Sequence, residues 1–244
     1  MIAVDGSIRR GVTVAIAGWA ILNLALLLIG TLISRASALA PLRRLDQRIS
    51  EWLADHRTDR LDDLTALASR SADTEFIIGL IVVILVCVAI SRAWWSLWLV
   101  PIAMAIEIST FGLINTVVGR DRPGVPRLGS TPATSSFPSG HAAAAVVCWI
   151  GAAVLLWWAG RHILARCIAV VGILMAAAVS FSRVYRGMHH LSDVAFGLAM
   201  GVAALLIAIV AVHRHSPSEN AIEPERPELA EPPEQQPSLA QPVR

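Results

Sequence analysis

Six solid apolar runs, at residues 11–33, 75–91, 94–118, 141–159, 163–182 and 191–212, constrain this chain more than any other feature. A helix needs about 20 residues to cross the hydrocarbon core of a bilayer. All the runs except 75–91 approach or exceed that length. Backbone polar groups in lipid must be satisfied within the protein, and a barrel would show alternation instead of solid runs. The expected fold is therefore all-α, a polytopic bundle of six transmembrane helices forming one domain over residues 1–215. The composition agrees: 16% of residues are charged and 55% hydrophobic, against about 25% charged in soluble domains. A net charge of +2 gives no footing for a nucleic-acid partner. Cys87, Cys148 and Cys167 lie in or beside apolar runs and read as small apolar residues, with neither a disulfide framework nor metal spacing. The first run reads as an uncleaved anchor.

Orientation follows from the arginines in the short connections. Arg9, Arg10, Arg92, Arg161, Arg166 and Arg214 fall at alternate ends of the runs. Placing them inside puts both termini in the cytoplasm, in the plasma membrane, and sends segments 34–74, 119–140 and 183–190 to the outer face. Segment 34–74 also carries arginines, but acids balance them. Leu42, Leu45, Ile49, Leu53, Leu61, Leu64 and Leu67 recur there at helical spacing. This predicts one or two amphipathic helices on the membrane surface, over about 38–72. Trp94, Trp95, Trp98, Trp157 and Trp158 flank run ends as interfacial anchors. The stretch 216–244, rich in proline and glutamate, is expected to be a disordered tail.

Polar residues that do not suit a bilayer gather on the predicted outer face. In Ser135–Val147, SSFPSGHAAAAVV, Pro138 and Ser139 precede a helix whose first turn holds Gly140 and His141. Free N–H groups and the helix dipole make such a start an anion site, and Gly140 allows close backbone approach. In Phe181–Gly197, FSRVYRGMHHLSDVAFG, His189 and Asp193 stand four apart, which on a helix places them on one face. A carboxylate on one imidazole nitrogen raises the basicity of the other. Arg183 precedes His189 by six residues, and Arg122 ends the 94–118 run's extension. Two histidines, an aspartate, two arginines and a helix start on one face read as a phosphate site with a histidine ready for covalent catalysis.

These clusters resemble the type 2 phosphatidic acid phosphatase (PAP2) family, the membrane branch of a superfamily that includes the soluble vanadium haloperoxidases. The family pattern is K-x6-R-P, then P-S-G-H, then S-R-x5-H-x3-D. The second motif is complete in Pro138-Ser139-Gly140-His141, and the third in Ser182-Arg183, His189 and Asp193. The first is partial, with Arg122-Pro123 present but Asn115 at the lysine position; the motif region spans 115–197. The resemblance implies a membrane phosphatase acting on a lipid phosphate, with no cofactor and no metal because arginines supply the positive charge. It implies that His189 attacks phosphorus and that Asp193 orients it. His141 would protonate the leaving oxygen and then activate water. Arg122, Arg183, Ser139 and the Gly140 backbone would hold the phosphoryl oxygens. Candidate substrates are polyprenyl pyrophosphates, phosphatidic acid and phosphatidylglycerophosphate.

Two other readings use the same residues: a lipid phosphotransferase, and a catalytically idle phospholipid-binding protein. The second is motivated by the missing lysine. The chain has no lysine at all; its 20 basic residues are arginines. Arg120 or Arg127 is therefore expected to supply the charge absent at Asn115, with Arg186 a weaker candidate. His190 is expected to point away from the reaction, and Glu107, mid-run, to bridge helices or line a groove.

Overall fold

The computed structural model describes residues 2–213 except 72, 74, 76, 80, 81, 83–85, 87–93 and 130–133. Its helices are α1 (Ile2–Arg35), α2 (Ala40–Asp55), α3 (Asp59–Arg70), α4 (Leu99–Val118), α5 (Gly140–Trp158), α6 (His162–Tyr185) and α7 (Leu191–His213), with no strand among the described residues. Five helical stretches are long and apolar enough to cross a membrane: Ile8–Arg35, Ser96–Val118, Gly140–Trp158, His162–Tyr185 and Leu191–Val212. The sixth expected span, 75–91, lies mostly outside the described residues; those described within it (75, 77–79, 82 and 86) are helical. The tail at 216–244 lies outside them altogether.

Helix α7 is the centre of the bundle, packed against α1, α4 and α5, while α6 packs on α5. Leu99, Val100, Ala103, Val147, Cys148, Ala204 and Ala208 fill the core between these helices. Large apolar residues on the outside, such as Ile16, Leu24, Ile163, Ile173 and Leu206, stay exposed, as a lipid-facing surface requires. Lipid tails are as apolar as leucine, so helices in a bilayer associate through close packing and small residues. Gly197 and Gly201, one turn apart on α7, supply that contact. A Cβ on Gly197 would overlap the Ser139 carbonyl, and one on Gly201 would lie 2.6 Å from the Ala143 oxygen. The start of α5 is thereby pressed backbone to backbone against α7. Polar stitches join α1 to α4: Trp19 Nε1 donates to Ser109 Oγ at 3.0 Å and Asn23 Nδ2 to Thr110 Oγ1 at 3.2 Å.

The ends of α1, α4 and α6 meet the starts of α5 and α7. Gly119, at φ 62°, closes α4, and Gly187, at φ 70°, follows α6; both use the left-handed conformation that glycine adopts freely. Helices α2 and α3 cover this end. The expected leucine stripe is split. Leu42, Ile49 and Leu53 are partly buried, while Leu45, Leu64 and Leu67 remain exposed beside an exposed Trp52. The most deeply buried residues of the two helices are polar: Asp46, Ser50, Thr65 and Ser69. They bolt the hairpin to the bundle. Ser182 Oγ donates to the Thr65 carbonyl at 2.7 Å, and Tyr185 Oη to Asp62 Oδ1 at 2.8 Å. Asp46 Oδ1 accepts from the Ser192 amide at 3.1 Å, at the first turn of α7.

Candidate active site

His189 does not lie on α7. It sits in the tight turn between α6 and α7, ahead of Leu191, where Gly187 lets the chain reverse. It is 3% exposed, and its Nδ1 lies 2.6 Å from the Ser136 carbonyl oxygen. A carbonyl can only accept, so Nδ1 carries the proton and Nε2 keeps its lone pair. Burial first, then the Arg183 and Arg122 guanidiniums, hold the His189 pKa well below the ordinary histidine value. The ring is therefore neutral near pH 7.

The expected direct pairing of Asp193 with His189 is not present. The i, i+4 geometry holds only when both residues are helical, and His189 precedes the helix. Asp193 instead accepts from Arg120 Nη1, Ser136 Oγ and the His190 amide, the last at 2.8 Å. It reaches His189 through one intermediate: its carboxylate holds the Ser136 hydroxyl while the Ser136 carbonyl holds the imidazole. Ser136, fully buried, is a site residue that the motif pattern did not mark.

The other motif residues converge on the same place. Ser139 caps α5, and its amide donates to the Asp193 carbonyl at 3.0 Å. Its buried Oγ has no hydrogen-bond partner, and neither does the buried Nε of Arg183. Two buried donors without acceptors are costly unless a ligand completes them. Arg183 Nη1 donates to Ser69 Oγ at 3.0 Å, so α3 helps to aim this guanidinium. Arg122 spans the mouth: Nη1 donates to the Met188 carbonyl at 2.5 Å, and Nη2 to Thr134 Oγ1 at 3.1 Å. His141, on the first turn of α5, places Nε2 3.3 Å from Asp73 Oδ1, a carboxylate able to balance an imidazolium. At Gly140 a Cβ would press on the Phe111 ring at 3.2 Å, so the small residue serves packing as well as access.

The sequence pattern of the PAP2 superfamily matches residues 95–217, which hold all of these motif residues. The chain belongs to the PAP2 superfamily. It is an integral membrane phosphatase of the PAP2 type. A solved structure of similar fold, described as the first transmembrane PAP2-type phosphatidylglycerolphosphate phosphatase, from Bacillus subtilis, gives a TM-score of 0.67. The likeness covers 78% of this chain and 93% of that one at 22% identity.

At the point where this chain departs from the PAP2 motif, Asn115 has a different task. Its Nδ2 donates to the Ser135 carbonyl at 2.8 Å and its Oδ1 accepts from the Ser135 amide at 3.0 Å. The side chain mimics a strand neighbour and fixes the backbone one residue ahead of Ser136. Nor does Arg120 replace the missing lysine. Its guanidinium is buried between Asp46 Oδ2, at 2.8 Å, and Asp193 Oδ1, with Ser192 Oγ at 2.7 Å. Arg186 is engaged too, donating to the Asp62 carbonyl at 3.2 Å. Arg127 is the remaining candidate. It is exposed, lines a cavity of about 690 Å³ together with Arg122 and Asn115, and lies close enough to lower the Arg122 pKa after burial does. Glu107 is buried on α4 and lines neither this cavity nor a second one on the other side of residues 119–122.

Proposed function

We propose that this PAP2 protein hydrolyses a phosphomonoester or diphosphate of a membrane lipid through a phosphohistidine on His189. The observation that carries the reading is the tautomer: the Ser136 carbonyl takes the Nδ1 proton and leaves Nε2 as a buried, neutral nucleophile. Nε2 attacks the terminal phosphorus, and its bond to the leaving oxygen breaks: the alcohol oxygen of the lipid in a monoester, the bridging oxygen carried off by the lipid monophosphate in a diphosphate. His141 gives that oxygen a proton, its ring held beside the Asp73 carboxylate. In the second step water attacks the phosphohistidine, His141 takes its proton, and the P–N bond breaks to release phosphate. Arg122, Arg183 Nε, Ser139 Oγ and the first amides of α5 face the developing charge. Asp193 is a positioning residue acting on His189 through Ser136. Arg127, at the cavity shared with Arg122, supplies the charge that Asn115 lacks.

The site at the ends of the spanning helices lets a lipid tail remain in the bilayer while its head reaches His189. Arginine placement in the short connections supports both termini in the cytoplasm and the site on the outer face. The exposed Leu45, Trp52, Leu64 and Leu67 of α2 and α3 suit the membrane interface. The test is phosphate release by purified protein in detergent from phosphatidic acid, phosphatidylglycerophosphate and a polyprenyl diphosphate. Release from at least one is expected; release from none, in a preparation shown to be folded, sinks the reading. Transfer of the label to an added alcohol with no free phosphate would make the protein a phosphotransferase.

A further inference from the structure

The second cavity, about 370 Å³, lies between the end of α1, the start of α2 and residues 119–122. Ser34, Arg35, Arg43, Arg122 and His190 line it. Two of its groups are orphans: Ser34 Oγ and His190 Nδ1 are buried with no hydrogen-bond partner. His190 is 8% exposed and lines the cavity, and a backbone hydrogen bond with Asp121 holds its ring. Each such orphan costs free energy that an occupant would recover.

The lining is cationic. Arg43 Nη1 is held by the Ile33 and Ala36 carbonyls, at 2.9 and 2.8 Å, which fixes one positive charge at the wall. Arg35 is exposed and makes no ion pair among the described residues. Asp121 is the carboxylate in the lining, and it is exposed to solvent. Arg122 lines both this cavity and the larger one, and it also holds the Met188 carbonyl next to His189. His190 follows the nucleophile directly in the chain. A group bound here would therefore neighbour the reacting phosphoryl group.

From this we infer that the cavity is a second phosphate subsite, built from Arg35, Ser34 and His190 and joined to the reaction centre by Arg122. It rests on the phosphatase reading above and deepens it by naming what lies beside the reacting phosphate. The occupant is the lipid-linked phosphate of a lipid diphosphate, whose terminal phosphoryl group is the one transferred to His189, or the headgroup phosphate of a neighbouring anionic lipid. Both present the same oxygens to the same donors. Burial, and after it Arg120, lower the His190 pKa to about 4, against the Asp121 backbone bond, which raises it; Nδ1 can donate to a phosphate oxygen only in the protonated ring, so phosphate binding would raise that pKa.

The test compares a prenyl diphosphate with the prenyl monophosphate of the same tail, using the full chain in nonionic detergent. Arg35→Gln should lower the ratio of kcat/KM values, diphosphate over monophosphate, by about tenfold, the loss of one charge-assisted contact. Ser34→Ala is the second variant, should Arg35→Gln fail to fold; it should move the ratio the same way. If the ratio holds but Arg35→Gln slows the monophosphate only in vesicles containing phosphatidylglycerol, and not in phosphatidylcholine, the occupant is a neighbouring headgroup and the subsite stands. A ratio unmoved in detergent, with equal rates in both vesicles, overturns the subsite. Should the wild type hydrolyse neither prenyl substrate, the ratio cannot be read, and the phosphatase reading fails separately only if phosphatidic acid and phosphatidylglycerophosphate also release no phosphate. The subsite is then read by NMR titration of His190 with inorganic phosphate: a rise in its pKa that Arg35→Gln abolishes supports it, and no rise overturns it.

Discussion

Arg120→Ala separates the structural account from the simplest reading of the motif. If Arg120 replaced the motif lysine, its loss would weaken substrate binding and leave the fold intact. The geometry predicts the reverse order of effects. The guanidinium is 5% exposed and lies between two carboxylates that are 2% and 0% exposed. Removing it leaves both charges buried in one place. Truncating one partner of a buried pair costs about 3–5 kcal/mol, a large share of a typical 5–15 kcal/mol stability. The lower part of that range is a reasonable floor, because Asp46 keeps Ser192 and Asp193 keeps Ser136 and the His190 amide. Unfolding by SDS in mixed micelles, followed by tryptophan fluorescence, measures it. Adding Asp46→Asn to Arg120→Ala removes one stranded charge and should recover part of the loss, a coupling of about 0.5–3 kcal/mol. An Arg120→Ala protein within about 0.5 kcal/mol of wild type, with KM alone raised, would refute the argument.

Three further outcomes follow from the site. Asn115→Lys, which restores the family motif, should lower stability by about 1–3 kcal/mol through the two lost bonds to Ser135 without raising turnover; a gain in kcat would show that the position still faces phosphate. Gly197→Ala should displace Ser139, which its Cβ would overlap, and cut phosphate release at least about tenfold, whereas Gly79→Ala, with open space at its Cβ, should not. Because the folded pKa of His189 lies below its unfolded value, the nucleophile stays neutral until pH falls well under about 6.5. The acid limb of kcat/KM should therefore lie below that point. The same sign makes the unfolded chain bind more protons there, so stability should fall as pH drops from about 6.5 towards 4, where His190 also titrates. An acid limb above pH 6.5 would contradict the buried neutral imidazole.

The spanning helices were legible because lipid imposes one rule on every residue of a run. Five of the six expected spans are helices at nearly the expected bounds. Motif spacing also anticipated which residues meet at one end of the bundle. What spacing could not show was partner choice. His189 and Asp193 satisfy the i, i+4 rule on paper, but a positive-φ glycine at 187 ends one helix and the next begins only at Leu191. The aspartate therefore serves Ser136 and Arg120. The leucine stripe of 42–67 gave the period of α2 and α3 correctly but not their working face, because Asp46, Thr65 and Ser69 act through long-range contacts with residues more than a hundred positions away. Asn115 was an anomaly against the motif, yet its clamp on Ser135 depends on a loop whose path no periodicity encodes.

The most direct test of the central claim is to trap the phosphoryl group on the enzyme. Purified protein is mixed with ³²P-labelled phosphatidic acid (or whichever lipid phosphate it releases fastest), quenched in alkali within milliseconds, and the labelled peptide is mapped. The account predicts an alkali-stable, acid-labile label on His189 that is absent from His189→Ala, which should also release no phosphate above background. Label on another residue, or turnover by His189→Ala at the wild-type rate, would contradict it.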